Sequence, residues 1–266
     1  MTPLRLLTYN VRYDTPEDGD RAWAHRRDAL ADVVRSYDPD VVGFQEPLAH
    51  QVADLRERLP DHRIVGRGRA AAPDEGEHVP IGFRSGRFAL ADRETFWLSE
   101  TPDEPGSVGW DADLPRIATC VRLRDEPADT ALVHCNVHLD HRGERARLES
   151  ATLLRRRLES FADGDPVILS GDFNCEADAP PIRRLVDADA PGLRFRDART
   201  VASKPIEGPG TTRNDYDSLL AGMEIDHVLV TPGVGVERVA TCADRDEDGR
   251  FPSDHLPVLA ELTPPE

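Results

Sequence analysis

With 266 residues, 39% of them hydrophobic and 6% aromatic, the chain can bury one substantial and mainly aliphatic core. No stretch approaches the ~20 apolar residues of a membrane span, and a net charge of −17 argues against a general basic surface for nucleic acid. That charge does not exclude a local arginine cluster in a cleft.

The N-terminal MTPLRLLTYNVRYD lacks the apolar run and small-residue cleavage site of a secretory signal, so a cytoplasmic protein is the expectation. Lys204 is the only lysine, and the basic complement is otherwise arginine. With abundant aspartate, that bias suggests either salt adaptation or a GC-rich coding sequence. Cys120, Cys135, Cys175 and Cys242 form no Cys-x-x-Cys pair, which points to free thiols in or near the core rather than a zinc site or disulfide framework.

In chain order, short runs of Val, Ile and Leu alternate with helical periodicity. LRLLTYNV (4–11) reads as a strand. WAHRRDALADVVRSY (23–37) reads as an amphipathic helix with Ala29, Leu30, Val33 and Val34 on its apolar side. A buried strand follows over 40–46, then a helix over 48–59 and strands over 81–84, 88–99, 117–123 and 130–139. The charged segment 144–161 predicts a helix leading to a strand over 166–173. A helix near 180–187 precedes strands over 224–230, 236–242 and 255–262. Segments 99–115 and 199–218, rich in Pro, Gly and Asp, read as surface loops. Mixed strands and helices with hairpin-like pairs favour an α/β domain on mixed rather than purely parallel sheets. One domain over 1–266 is expected.

Polar residues close or open the apolar strands. Asn10 ends the first and Glu46 the second; Asn136, His138 and Asp140 end another; Asp172 and Asn174, in Ser170-Gly171-Asp172-Phe173-Asn174, end a fourth. Asp226 opens a strand, and Asp254-His255 precedes the last. Singly, each has a plain structural role as a turn, cap or buried hydrogen-bonding residue. Their recurrence at six strand termini predicts one convergent site. Carboxylate and amide oxygens suit Mg²⁺ or Mn²⁺, and histidines suit phosphate binding or proton transfer.

The ordered set YNVR (9–12), GFQE (43–46), NVHLDHRGERAR (136–147), SGDFN (170–174), IDHVLV (225–230) and SDHLPV (253–258) resembles the endonuclease/exonuclease/phosphatase superfamily. WxxRR (23–27), TFWLSETPDEPGS (95–107) and WxxxxPR (110–116) look most like a bacterial and archaeal branch close to the deadenylase- and nocturnin-like enzymes. The resemblance implies a four-layer α/β/β/α sandwich of two mixed sheets, as in deoxyribonuclease I. It implies Glu46 as principal metal ligand, with Asn10 beside it and Asp254 completing a second metal position. It further implies Asp172 as the group that orients or deprotonates water, Asn174 as the amide holding nucleophile and phosphoryl oxygen, and His138 as a donor to phosphate. His255 is implied in phosphate contact or proton transfer, with Asp226 orienting its ring.

Arg116, Arg142 and Asn136 are candidates for substrate binding, whereas Trp23, Trp97 and Trp110 read as packing residues. The expected activity is divalent-metal-dependent hydrolysis of phosphodiesters, as in a nuclease or deadenylase-like exonuclease. A phosphatase for a small phosphorylated metabolite or nucleotide is the alternative, and a catalytically silent binding module of the same fold is the second. No Gly-x-Ser-x-Gly elbow supports a metal-independent esterase. The expected partner is a phosphate-ester substrate, and no obligate protein partner is evident.

Overall fold

Successive side chains of a strand point to opposite faces, so an apolar run without alternation must be covered on both sides. The first strand shows this directly. In the computed structural model, which describes residues 3–265, Leu4 and Leu6 face one layer while Leu7 and Tyr9 face another.

The strands are β1 (Leu4–Asn10), β2 (Val41–Gln45), β3 (His62–Val65), β4 (Ile81–Arg84), β5 (Phe88–Trp97) and β6 (Ile117–Asp125). They continue as β7 (Thr130–His138), β8 (Val167–Asp172), β9 (Arg196–Asp197), β10 (Asp226–Val230), β11 (Gly235–Thr241) and β12 (Val258–Thr263). The helices are α1 (Trp23–Tyr37), α2 (Ala49–Arg58), α3 (Glu144–Ala162), α4 (Pro180–Val186) and the single turn α5 (Ala198–Val201).

Two six-stranded sheets result, ordered β11-β12-β1-β2-β4-β3 and β5-β6-β7-β8-β10-β9. Each contains one parallel pair, β1/β2 or β7/β8, linked through a helix, and its other pairs are antiparallel. Leu6, Val41, Ile81 and Phe83 meet Val121, Leu132, Ile168 and Val228 between the sheets. On one outer face, Leu7, Val42 and Phe44 pack against Leu30 and Val34 of α1 and Val52 and Leu55 of α2. On the other, Val133, Val137 and Leu169 pack against Leu154 and Leu158 of α3 and Leu185 of α4. Burying each such side chain contributes about 1.5–3 kcal/mol. The result is the four-layer α/β/β/α sandwich of mixed sheets that the motifs imply.

The layer between the sheets changes character along the strands. It begins apolar at Leu4, Leu6, Val41 and Leu132, then becomes polar at Thr8, Gln45, His134, Asn136 and Ser170. Gln45 Nε2 donates to Thr8 Oγ1 (3.0 Å) and Asn136 Oδ1 (2.6 Å), joining the two sheets. The Asn136 amide donates to the carbonyls of Phe44 and Pro80. This buried polar layer forms a floor, and the strand ends above it carry Asn10, His138, Asp172 and Asp226.

Three elements escape the sequence reading. β3 offers only Ile64 and Val65 as apolar signal, β9 is two residues long, and α5 lies inside a segment read as loop. His255, expected within the last strand, precedes β12. Segment 199–218 is not wholly superficial either: Thr211, Thr212 and Asn214 are buried, and Arg213 pairs with His255 in an isolated antiparallel bridge. Trp23 and Trp97 are buried packing residues, as expected. Among the described residues no helix is long and apolar enough to cross a membrane.

Candidate active site

The C-terminal ends of β1, β2, β7 and β8 open into a cleft of about 380 Å³, and backbone conformation aims the side chains there. Arg12, Glu46 and Asn174 all adopt positive φ (56°, 75° and 50°), an uncommon conformation for residues other than glycine. Each costs on the order of 1–3 kcal/mol, which surrounding contacts must offset. At Gly171 (φ 144°) a Cβ would lie 2.0 Å from the Val137 carbonyl oxygen. Only glycine allows β8 to lie against β7 there and deliver Asp172.

Asn10 joins the two acidic groups at the centre. Its Nδ2 donates to Glu46 Oε1 (2.9 Å) and Asp172 Oδ2 (3.0 Å), while the Tyr13 amide donates to Glu46 Oε2 (3.1 Å). The Asn174 amide donates to Asp172 Oδ1 (2.8 Å), and Asn174 Nδ2 to the Leu139 carbonyl. His138 Nε2 stands 3.5 Å from Asp172 Oδ2, and His255 Nε2 stands 3.7 Å from the same oxygen. His255 Nδ1–H donates to Asp226 Oδ2 (2.8 Å), which orients the ring. Asp226 pairs directly with Asp172 across β10 and β8.

These surroundings move protonation equilibria. Burial and the neighbouring Asp226 raise the Asp172 pKa to about 7, against the lowering influence of His255, the Asn174 amide and Asn10. Burial, helped by Arg116 and Arg69, holds His138 well below the ordinary histidine value and therefore neutral. For His255 burial disfavours charge, but Asp226, Asp172 and Asp254 outweigh it and raise the value to about 9. Arg213 Nη1, however, donates to His255 Nε2 at 2.6 Å. A guanidinium donor and a proton cannot share one lone pair. The geometry thus sets the neutral ring with Nδ1–H, and the second proton requires Arg213 to turn away.

Three expected residues stand apart from this centre. Asn136 is fully buried in the polar floor, with its amide group committed to cross-sheet hydrogen bonds, so it does not face the cleft. Arg142 projects outward, its side chain 71% exposed and nearest Asp113. Asp254 turns to Arg213 (3.0 Å) and belongs to neither group of side chains able to share an ion. Arg116 does line the cleft. Its Nε donates to Asp140 Oδ2 and its Nη2 to His141 Nδ1.

Arg12, Tyr13, Glu77, His141 and Arg213 also line the cleft and were not singled out from sequence. Arg12 and His141 lie inside quoted motifs and were within reach. Glu77 and Arg213 lie in loops whose sequences carry no comparable signal.

Asp140 anchors the cleft wall. Its Oδ1 accepts from the Arg142 and Gly143 amides, and its Oδ2 from the Asp113 amide and Arg116. Burial pushes its pKa upward, but the Gly143 and Arg142 amides and Arg116 prevail and leave it lowered. A lowered folded-state pKa means stabilisation present above the ordinary carboxylate range and lost as pH falls through the folded value. Asp140→Asn should cost about 1.5–3 kcal/mol at neutral pH. The gap in denaturant midpoint from the native chain should begin to narrow below about pH 4 and keep closing as pH falls through the lowered folded value. A gap unchanged down to about pH 2 would show that the carboxylate charge contributes nothing.

Glu46, His138 and Asp172 each offer a ligand atom, all within 4.8 Å of one another. Two carboxylates facing each other beside an amide suit a hard divalent cation such as Mg²⁺ or Mn²⁺. Asp172, Asp226 and His255 form a second such group. There the His255 Nδ1–H already donates to Asp226, so the first group is the better fit.

The fold and this constellation define a phosphoesterase-type site. The chain belongs to the endonuclease/exonuclease/phosphatase family, whose model matches residues 7–255. It is similar to an endonuclease/exonuclease/phosphatase from Bacteroides vulgatus, with 33% identity, TM-score 0.93 and coverage of 99% of this chain and 100% of that one. It is also similar to a mannosyl-6-phosphatase of Bacteroides thetaiotaomicron, with 33% identity, TM-score 0.90 and coverage of 98% and 99% respectively. The human Nocturnin catalytic domain, at 17% identity and TM-score 0.76 over 98% of this chain and 93% of that one, shares the fold.

Proposed function

We propose that this chain is a divalent-metal-dependent phosphatase that hydrolyses phosphate monoesters of small polar molecules. The cleft carries the reading. About 380 Å³ walled by loops on both sides suits a phosphoryl group with a sugar-sized leaving group better than an extended strand. Among the described residues Tyr13 is the one Phe, Tyr or Trp side chain lining it, beside three histidines, which gives little platform for a run of stacked bases. The likeness to a mannosyl-6-phosphatase at 33% identity over nearly both chains supports the same class.

Glu46 and Asp172, with Asn10 beside them, would hold the cation, and His138 flanks that pair. When bound, a divalent cation withdraws charge from phosphate oxygens and lowers the pKa of water. Asp172, on which the Asn10 and Asn174 donors converge, can accept the proton of the attacking water. Asn174 holds the nucleophile against the phosphorus. Neutral His138 donates to a nonbridging oxygen without competing for protons. Arg213 turns from His255 to the incoming phosphate, and His255, stabilised as a cation by Asp226, then donates to the developing negative charge.

The test is a substrate panel with the purified chain in Mg²⁺, Mn²⁺ or EDTA, in dilute buffer and in molar KCl. It holds hexose 6-phosphates, p-nitrophenyl phosphate, bis-p-nitrophenyl phosphate, single-stranded RNA and single-stranded DNA. Metal-dependent release of phosphate from the monoesters is expected, with higher activity in salt if the acidic surface is a salt adaptation. Preferential cleavage of RNA, DNA or the diester would replace this reading with the phosphodiesterase one. Cation-independent turnover would remove the metal.

A further inference from the structure

We infer that Glu77 and His141, held on either side of the Arg116 guanidinium, form a subsite that reads hydroxyl groups on the leaving molecule. This rests on the monoesterase reading above and assigns its substrate class as a polyol or sugar phosphate.

Arg116 is buried and hydrogen-bonded on two sides, with Nη1 left without a hydrogen bond among the described residues. Its Nε donates to Asp140, its Nη2 donates to His141 Nδ1 (3.0 Å), and its Nη1 stands 3.8 Å from Glu77 Oε2. A guanidinium can only donate, so His141 Nδ1 must be the lone-pair nitrogen. The ring proton is therefore on Nε2, and among the described residues no acceptor lies within hydrogen-bonding distance of it, Asp113 Oδ2 being 3.9 Å away. Glu77 shows the complementary arrangement. Its Oε2 accepts from Arg69 Nη1 (2.7 Å), whereas Oε1 makes no hydrogen bond among the described residues. The Arg116 guanidinium thus stands between an acceptor, held by Arg69, and a donor, and both residues line the cleft.

A carboxylate in a cleft for anions needs an explanation. Glu77 Oε2 pairs with Arg69 and stands 3.8 Å from both Arg116 Nη1 and His138 Nδ1, which leaves Oε1 over, and it belongs to neither group of side chains with ligand atoms close enough to share an ion. What it can bind is a hydrogen-bond donor. A hydroxyl donating to Glu77, beside an oxygen accepting from His141, is the arrangement that neighbouring hydroxyls of a sugar provide.

The placement is also rigid. Gly68 and His78 pair across the loop, the Arg69 amide donates to the Glu77 carbonyl (3.0 Å), and Trp97 Nε1 donates to the Arg69 carbonyl (2.7 Å). Little ordering remains to be done on binding, which favours selectivity.

The experiment measures kcat and KM for mannose 6-phosphate and for phenyl phosphate, which has no hydroxyl groups, using the full chain with Mg²⁺. Glu77→Gln and His141→Ala are compared with the native chain. In Glu77→Gln, Arg69 claims the amide oxygen and leaves the NH₂ towards the cleft, turning an acceptor into a donor. Each variant should raise KM for mannose 6-phosphate by about tenfold or more and lower the sugar-to-phenyl ratio of kcat/KM by the same factor. His141 is exposed, so its variant keeps the test valid if Glu77→Gln folds poorly. A ratio unchanged in both variants, or equal losses on both substrates, would overturn the subsite. A native chain with no preference for the sugar phosphate would overturn the substrate class before any variant is made.

Discussion

Asp172→Asn is expected to lower kcat by about 10²–10³ or more while leaving the fold intact. The carboxylate is the point on which the site converges. Asn10 Nδ2 and the Asn174 amide donate to its two oxygens, and His138 and His255 both stand within 4 Å of Oδ2. Asparagine is nearly isosteric and keeps an oxygen for the Asn174 amide, so Gly171 and the β7/β8 pairing need not move. It cannot accept a proton at neutral pH, and its NH₂ would face the Asn10 donor. The loss should fall on kcat rather than KM, with a melting temperature within a few degrees of the native value. Near-normal kcat in a well-folded variant would remove Asp172 from proton transfer and from the metal site alike.

Removal of divalent cations should have the second large effect. EDTA should abolish turnover, and Mg²⁺ or Mn²⁺ should restore it. Glu46→Gln should raise the cation concentration for half-activation at least ~10-fold, since charged ligands dominate the binding of hard cations. A stability measurement reads the same site without catalysis. An ion at 100 times its dissociation constant stabilises the folded chain by about 2.7 kcal/mol. At the same ion concentration that gain should fall to about half or less in Glu46→Gln. An equal gain in both would place the ion elsewhere, and cation-independent activity would end the metal assignment. The strain stored at Glu46, φ 75°, suggests why the ion matters to stability: the carboxylate is held towards Asn10 and Asp172 before any cation arrives.

The remaining logic concerns cations of the chain's own. Arg213 caps His255 Nε2 in the free site and must leave before that nitrogen can carry a proton. Substrate phosphate is the natural anion to draw it away. On the function proposed above, protonation of His255 would thereby be coupled to phosphate binding.

Much of this was legible in the residues themselves. Binary patterning placed α1, α3 and the strands through Leu6, Val42, Val133 and Leu169, because burial on both faces leaves unbroken aliphatic runs. Polar residues at the ends of those runs marked Asn10, Glu46, His138, Asp172 and Asp226, all of which meet. A strand end is a local feature, and the rule that α/β sites form beyond the carboxyl ends of parallel strands carries it to function. What sequence could not supply is which face a polar residue takes and how deep it lies. Asn136 and His138 share a face two residues apart, yet one closes the floor and the other lines the cleft, a difference set by where the second sheet crosses. Asp254 and His255 are neighbours and both meet Arg213 Nη1, but only His255 also stands beside Asp172 and Asp226. Glu77, His141 and Arg213 acquire their meaning only from loops folded over the sheet ends, where contacts are long-range and no periodicity announces them. Sequence therefore determined the layers and the convergent acidic centre, through local patterning and burial. Tertiary structure alone decided the cleft walls, because non-local hydrogen bonds choose the direction of each loop side chain.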